Sequence, residues 1–325
     1  MNVVEEPVRR PSGGVRAWVR MALLAAITVL VFVLLFRSVS LGSVVKLLRA
    51  ARPLPLIVGI ILTPSFPILS AIRWRVVMEG LGQRLSLRES MSMIMACFTL
   101  STFTPSKGGD LARAYFMRSR APVSLVLGSV LAERLLDVMS LLLFCLLGAW
   151  IYRWRMLAAL AGVLFLAGVL MTVALLLIRL PVPSRFRPKV ERLLLALRML
   201  RQRPGLLSWV LLLTIAHWLV SIVQTWLFYL GLHAPVPLGR VLAALPAAIF
   251  VGLLPVTIGG MGTRDATLIR LLAEHAPAAA SLGVGLLYSL CGYWLPGLAG
   301  LPFLRALLSA TGAPPPSDGI EKPVQ

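Results

Sequence analysis

Residues 206–230 read LLSWVLLLTIAHWLVSIVQTWLFYL, a stretch with no Asp, Glu, Lys or Arg. As a helix it would be about 37 Å long at ~1.5 Å per residue, enough to cross a hydrocarbon core of ~30 Å. Five further runs resemble it: Trp18–Phe36, Pro53–Ile72, Pro122–Trp150, Leu157–Ile178 and Pro277–Leu304. One such run is compatible with a signal sequence, but six are not. The 325 residues are 58% hydrophobic and 14% charged, and the mean hydropathy is +0.89, outside the range of ordinary soluble domains. The expected fold is all-α, a polytopic transmembrane bundle with about six full spans.

The first run begins among Arg9, Arg10, Arg16 and Arg20, as a signal peptide would. Its apolar part is too long, however, and Phe36-Arg37-Ser38-Val39 lacks a small-residue cleavage pattern. It therefore reads as a retained helix. The net charge of +20 comes from bases flanking apolar spans, so membrane topology accounts for it and nucleic acid is not an expected partner. Cys97, Cys145 and Cys291 are far apart inside apolar runs and read as small packing residues. His217, His233 and His275 form no metal pair, and no cofactor is expected. His217 lies within a span, where a functional and a structural histidine are both open readings.

Bases in short loops mark the cytoplasmic side. Segment 179–205 carries Arg179, Arg185, Arg187, Lys189, Arg192, Arg198, Arg201 and Arg203 against Glu191 alone. Segment 73–121 and the N-terminus are also basic, which puts all three in the cytoplasm of a cell-membrane protein. Residues 37–52 oppose this scheme, since they are basic yet fall outside. An amphipathic interfacial segment would accommodate them. A single transmembrane domain over 1–310 is expected, with possible repeat halves 53–178 and 206–304 and a disordered tail at 311–325.

Two apolar runs are too short to cross, Ser90–Thr104 and Val241–Leu254. Each is followed by a similar break. The first reads Phe103-Thr104-Pro105-Ser106-Lys107-Gly108-Gly109-Asp110-Leu111-Ala112-Arg113. The second reads Leu254-Pro255-Val256-Thr257-Ile258-Gly259-Gly260-Met261-Gly262-Thr263-Arg264-Asp265. Proline frees carbonyls and glycine permits tight turning. Short Gly/Pro-interrupted segments at matching places in two halves point to a transporter site. The expectation is two re-entrant hairpins, 90–121 and 241–272, entering from opposite sides as an inverted repeat with Gly109 and Gly260 near the centre. Ordinary turns between ordinary spans are the plainer alternative.

Glu133, Arg134 and Asp137 lie well inside the run Pro122–Trp150. Each charge at mid-membrane costs ~2.5–3.5 kcal/mol. Arg134 can pair with Asp137 three residues on, while Glu133 needs another cation, for which Lys107, Arg113 and Arg264 are the candidates. The cluster is either a structural ion network or a mixed-sign cavity. In the second case Lys107, Arg113 and Arg264 would bind a phosphate, with Glu133 and Asp137 setting their geometry or relaying protons.

These motifs resemble the flippase-like family, also called the lysylphosphatidylglycerol synthase transmembrane-region family. The likeness rests on Pro105…Gly109-Asp110…Arg113, Glu133-Arg134…Asp137 and Pro255…Gly259-Gly260…Gly262…Asp265, and spans roughly residues 15–308. Asp110 and Asp265 stand where the family often has glutamate, which shortens their reach. Larger relatives fuse this region to a soluble domain that adds lysine to phosphatidylglycerol, and no such domain is expected here. The resemblance implies a lipid-handling unit; taken with the reading of the breaks and the buried charges, the expected substrate-binding residues are Lys107, Gly108, Gly109, Asp110, Arg113, Glu133, Arg134, Asp137, Gly259, Gly260, Gly262, Arg264 and Asp265. The expected ligand is an anionic, phosphate-headed membrane lipid or a polyprenyl-phosphate-linked sugar, moved between leaflets. No Gly-x-x-x-x-Gly-Lys-(Ser/Thr) segment is present to use ATP. A membrane-embedded lipid or glycosyl transferase, or a non-catalytic partner of lipid- or glycan-synthesis enzymes, are the rival readings.

Overall fold

A computed structural model describes Ala26, Leu30, Val33 and residues 39–103, 109–177, 186–253, 257 and 260–312. Most of the first apolar run, the tail from 313 and the site candidates Lys107, Gly108 and Gly259 lie outside the described residues. The regular elements among those described are helical, with no strand.

The sequence of elements begins with a short amphipathic helix, α1 (Leu41–Arg49), capped by Ser40 Oγ on the Ser43 N–H at 3.2 Å. Its Val44 is buried against Leu282 while Lys46 and Arg49 stay exposed. Then α2 (Pro53–Ile61) and α3 (Ser65–Gly80) follow one another across a turn at Pro64. The first short apolar run forms α4 (Leu87–Phe103), and a five-residue α5 (Ala112–Phe116) follows its break. The long helices α6 (Val123–Ile151), α7 (Arg155–Leu177) and α9 (Pro204–Gly231) coincide within two residues with the apolar runs. Among the described residues four stretches are long and apolar enough to cross a membrane: Pro53–Gly80, Arg155–Leu177, Pro204–Gly231 and Ala278–Ser309. The charge-bearing α6, at 29 residues, is about 43 Å long at ~1.5 Å per residue, and half of its residues are buried within the protein.

The basic segment 179–205 is more ordered than its composition suggests. Residues Arg187–Gln202 form α8, whose Leu194, Ala196, Leu197 and Leu200 are buried while Arg187, Lys189, Arg192 and Arg201 face outward. It lies so close to α6 that a Cβ on Gly128 would stand 2.3 Å from the Leu193 carbonyl oxygen.

The second short run forms α10 (Leu238–Leu253) and continues through Pro246. Small residues explain this tolerance. Ala243, Ala244, Ala247 and Ala248 are buried, and a Cβ on Gly148 of α6 would meet the Ala243 backbone N at 2.6 Å. Such close helix approach holds a proline-bearing helix by packing. After the second break come α11 (Thr263–Leu271) and α12 (Ala278–Ser289). A π-helical turn at Leu290–Trp294 leads into α13 (Leu295–Ala299) and α14 (Leu301–Gly312). The turn sits just ahead of Pro296, whose missing N–H leaves the Gly292 carbonyl without its helical donor.

The first hairpin, α4 and α5, packs against α3, α6, α13 and α14. The second, α10 and α11, packs against α6 and α12. Helix α6 thus touches both.

Candidate functional site

Arg73 is the centre of the first polar cluster. It sits on the buried face of α3 with Ser70, Trp74 and Val77. Its Nη1 donates to Asp137 Oδ1 at 2.6 Å and to Thr214 Oγ1 at 3.1 Å, Nη2 donates to Asp137 Oδ2 at 3.2 Å, and Nε donates to Glu133 Oε1 at 3.1 Å. Glu133 and Asp137, four apart on α6, would repel one another, and one guanidinium spans them both. A planar fork does this, whereas a lysine ammonium would not reach both with matched geometry.

Two more arginines complete the cluster. Arg113 of α5 donates through Nη1 to Glu133 Oε2, and through Nη2 to Asp110 Oδ1 at 2.9 Å. Arg134 pairs with Asp110 and, at 3.4 Å, with Asp137. Trp218 Nε1 donates to Asp137 Oδ1 at 3.1 Å. Three arginines therefore meet three carboxylates, joining α3, α6, α9 and the first hairpin. The formal charges cancel, which lets the group sit among apolar helices without an unpaired ion. Such a group is costly to desolvate and adds little net stability, but removing one partner is expensive.

The cluster opens onto a cavity of about 70 Å³. Arg73, Arg113, Arg134, Asp110 and Asp137 supply its charged wall. Phe66, Phe98, Trp218, Tyr288 and Tyr293 supply an aromatic wall, and His217 and Gln224 also line it. The π-helical turn contributes Gly292 and Tyr293. His217 stacks edge-on between Phe66 and Trp218, with ring centroids 5.4 and 5.2 Å away.

The second hairpin builds a smaller, closed cluster. Asp265 accepts from the Gly262 N–H at 3.0 Å, capping α11, and from Arg264 Nη2 at 2.7 Å. Arg264 Nη2 also donates to the Gly285 carbonyl at 2.9 Å and to Ser289 Oγ at 2.7 Å. The guanidinium lies over the Tyr288 ring, 4.4 Å from its centroid. Gly262 adopts φ 91° and Gly260 φ 71°, the left-handed region that glycine reaches without strain.

The glycines after each break close their own hairpins. A Cβ on Gly109 would stand 2.6 Å from the Cys97 carbonyl oxygen, and one on Gly260 2.5 Å from that of Gly252. Of the sequence candidates, Asp110, Arg113, Glu133, Arg134 and Asp137 come together in one ion cluster, and all but Glu133 line the cavity. Arg264, Asp265, Gly260 and Gly262 form a separate group that does not line the cavity; Tyr288, under the Arg264 guanidinium, does. The partner sought for Glu133 is Arg113, joined by Arg73. Arg73 was not among the candidates because it follows Ile72 at the end of an apolar run and reads as the first base of a cytoplasmic loop. Helix α3 instead continues to Gly80, which buries Arg73 and leaves Arg75 half-exposed in a 2.7 Å pair with Glu79. Among the described residues no group of His, Cys, Asp and Glu is arranged to hold a metal ion.

Comparison with known proteins finds membrane-protein relatives along most of the chain. A UPF0104 membrane protein of Methanocaldococcus jannaschii is 22% identical over 312 residues, covering 86% of this chain and 92% of the relative. One from Pyrococcus horikoshii is 24% identical over 317 residues, 86% and 94% of the two chains. One from Methanothermobacter thermautotrophicus is 21% identical over 327 residues, 89% and 96%. The family model described as the lysylphosphatidylglycerol synthase TM region matches residues 20–300, a span that takes in both hairpins and the whole ion cluster. By that match this chain, a multi-pass membrane protein, belongs to the lysylphosphatidylglycerol synthase transmembrane-region family.

Proposed function

We propose that this protein binds an anionic lipid or a polyprenyl-phosphate-linked sugar and carries its headgroup between the leaflets of the cell membrane. The observation that carries this reading is the charge-balanced ion cluster opening onto a polar cavity within apolar helices. Ionisable groups at such depth mark substrate paths or relays far more often than they serve as packing. In the same reading the two broken hairpins are re-entrant halves of an inverted repeat, and α8 and the N-terminus face the cytoplasm. Lipid- and glycan-synthesis enzymes are the partners that would supply or consume such a ligand. The protein has no catalytic role of its own in this scheme, and net movement draws on a gradient or runs downhill.

The test is reconstitution of the purified chain into vesicles holding headgroup-labelled phosphatidylglycerol. The expected result is that a membrane-impermeant quencher reaches label from both leaflets only when the protein is present. Protein-free and protein-bearing vesicles quenched to the same extent would sink the proposal. Under the transferase reading a chemically altered lipid would appear, and under the accessory reading lipid movement would need an added enzyme.

A further inference from the structure

Only one of the six charged groups in the cluster keeps substantial open surface. Side-chain exposure is 3–6% for Arg73, Arg113, Glu133 and Asp137 and 12% for Asp110, but 39% for Arg134. Arg134 is also the cation that the cluster can release without stranding a carboxylate. Asp110 keeps Arg113 at 2.9 Å, and Asp137 keeps Arg73 at 2.6 Å and Trp218 at 3.1 Å. The other two arginines are enclosed, with almost no open side-chain surface to offer a ligand.

Resting on the lipid-handling reading above, we propose that Arg134 receives the anionic group of the ligand, a phosphate or carboxylate. In doing so it releases Asp110 and loosens the first hairpin from α6. The guanidinium fork can hold two oxygens of such a group at once. Among the described residues the Asp110–Arg134 pair is one of two ion pairs joining hairpin and helix; the other, Arg113–Glu133, is buried and stays. Ligand and Asp110 therefore compete for one cation. By linkage, a change at Asp110 that weakens the contact and leaves Arg134 in place must strengthen ligand binding.

That reciprocity gives a test that a purely structural ion pair would fail. The full chain is placed in phosphatidylcholine nanodiscs, and binding of phosphatidylglycerol and of inorganic phosphate is measured. Spin labels at Tyr115→Cys on α5 and Leu131→Cys on α6, both exposed positions, report the hairpin–helix distance. The native cysteines are buried. Asp110→Asn and Arg134→Gln should both widen the distance without ligand, because each breaks the pair. Their binding should move in opposite directions: about tenfold tighter for Asp110→Asn and about tenfold weaker for Arg134→Gln, the scale of one charged hydrogen bond. Arg134→Lys, which keeps the charge and loses the fork, should fall between parent and Arg134→Gln. Tightening toward phosphatidylglycerol alone identifies a lipid headgroup as the source of the anion. Tightening toward both probes identifies any phosphate. If Asp110→Asn binds neither probe more tightly than the parent, the proposal is overturned. Parent protein that moves no lipid while Asp110→Asn binds more tightly would overturn only the translocation reading. Unchanged binding in Asp110→Asn with active translocation would overturn only this one.

Discussion

Arg113 and Arg264 hold matching places after the two hairpin breaks, yet the protein uses them differently. Arg113 joins a six-member, charge-balanced group that ties four parts of the fold together and faces a cavity. Arg264 turns to the carboxylate next to it in sequence and is sealed by Ser289, the Gly285 carbonyl and the Tyr288 ring. The first arrangement has open surface at Arg134, and the second leaves Arg264 and Asp265 at 2% and 0% exposure. Similar sequence at two breaks thus yields one group that can exchange partners and one that closes a hairpin. The deciding factor is the neighbouring helix. Helix α6 brings Glu133, Arg134 and Asp137 to the first hairpin, whereas α12 brings glycine and serine to the second.

The largest effect should come from breaking the first group at its centre. Arg73→Leu removes the four hydrogen bonds that tie α3 to Glu133, Asp137 and Thr214, leaves the enclosed group with three carboxylates against two arginines, and should cost ~3–5 kcal/mol, the range for removing one partner of a buried pair. Arg264→Leu strands only Asp265, which keeps the Gly262 N–H, so it should cost less. Thermal melts of both variants in the same detergent rank them. A lower melting temperature for Arg264→Leu than for Arg73→Leu would reverse the comparison.

The glycines come next. Gly260→Ala meets the Gly252 carbonyl and must also adopt φ 71°, and should cost about 2–4 kcal/mol. Gly109→Ala meets the Cys97 and Ser101 backbone without a left-handed φ, and should cost about 1–3 kcal/mol. Equal losses in melting temperature would show that contact alone, not backbone conformation, limits both turns.

Arg264→Lys sharpens the contrast further. The fork that serves Asp265, Gly285 and Ser289 is lost, so stability should fall by ~1–3 kcal/mol, while lipid binding per folded molecule should hold. If binding falls and the melting temperature does not, the second hairpin carries a ligand site after all.

Much of this architecture was legible because the bilayer demands long apolar helices. The runs Pro122–Trp150 and Leu206–Leu230 anticipate α6 and α9 within two residues. The expense of Glu133, Arg134 and Asp137 in an apolar run likewise announced a buried partner. Arg73 was hidden because a base at the end of an apolar run looks the same whether the helix stops or continues. The one available signal was the recurrence of Ser70, Trp74 and Val77 at helical spacing around it. The separation of Arg264 from the cavity was hidden too, since it depends on which residues α12 presents. Helix α8 was masked by its bases, whose stems leave an apolar stripe only when residues 187–202 are laid out as a helix.

The smallest effect belongs to an exposed ion pair, which calibrates the buried ones. Glu89 opens α4 with a capping box: its carboxylate accepts from the Ser86 N–H at 2.9 Å, and its own N–H donates to Ser86 Oγ at 3.2 Å. Arg120, beyond α5, donates to the same carboxylate at 2.6 Å. The Arg120 hydrogen bond, then those from Ser86, lower the Glu89 carboxyl to about 2, against ~4.3 for a free glutamate. A carboxyl depressed on folding adds stability above its unfolded value, and that stability is lost as pH falls toward about 2. The side chains are 37% and 55% exposed, so water and salt screen most of the attraction and Glu89→Gln should cost less than ~1 kcal/mol. The gap in melting temperature between parent and Glu89→Gln should therefore narrow between pH 6 and pH 3, and narrow again with added salt. The gap left by Arg73→Leu should resist salt, because its ions are enclosed. A Glu89→Gln gap that ignores both pH and salt would assign the cost to the capping geometry rather than to the charge.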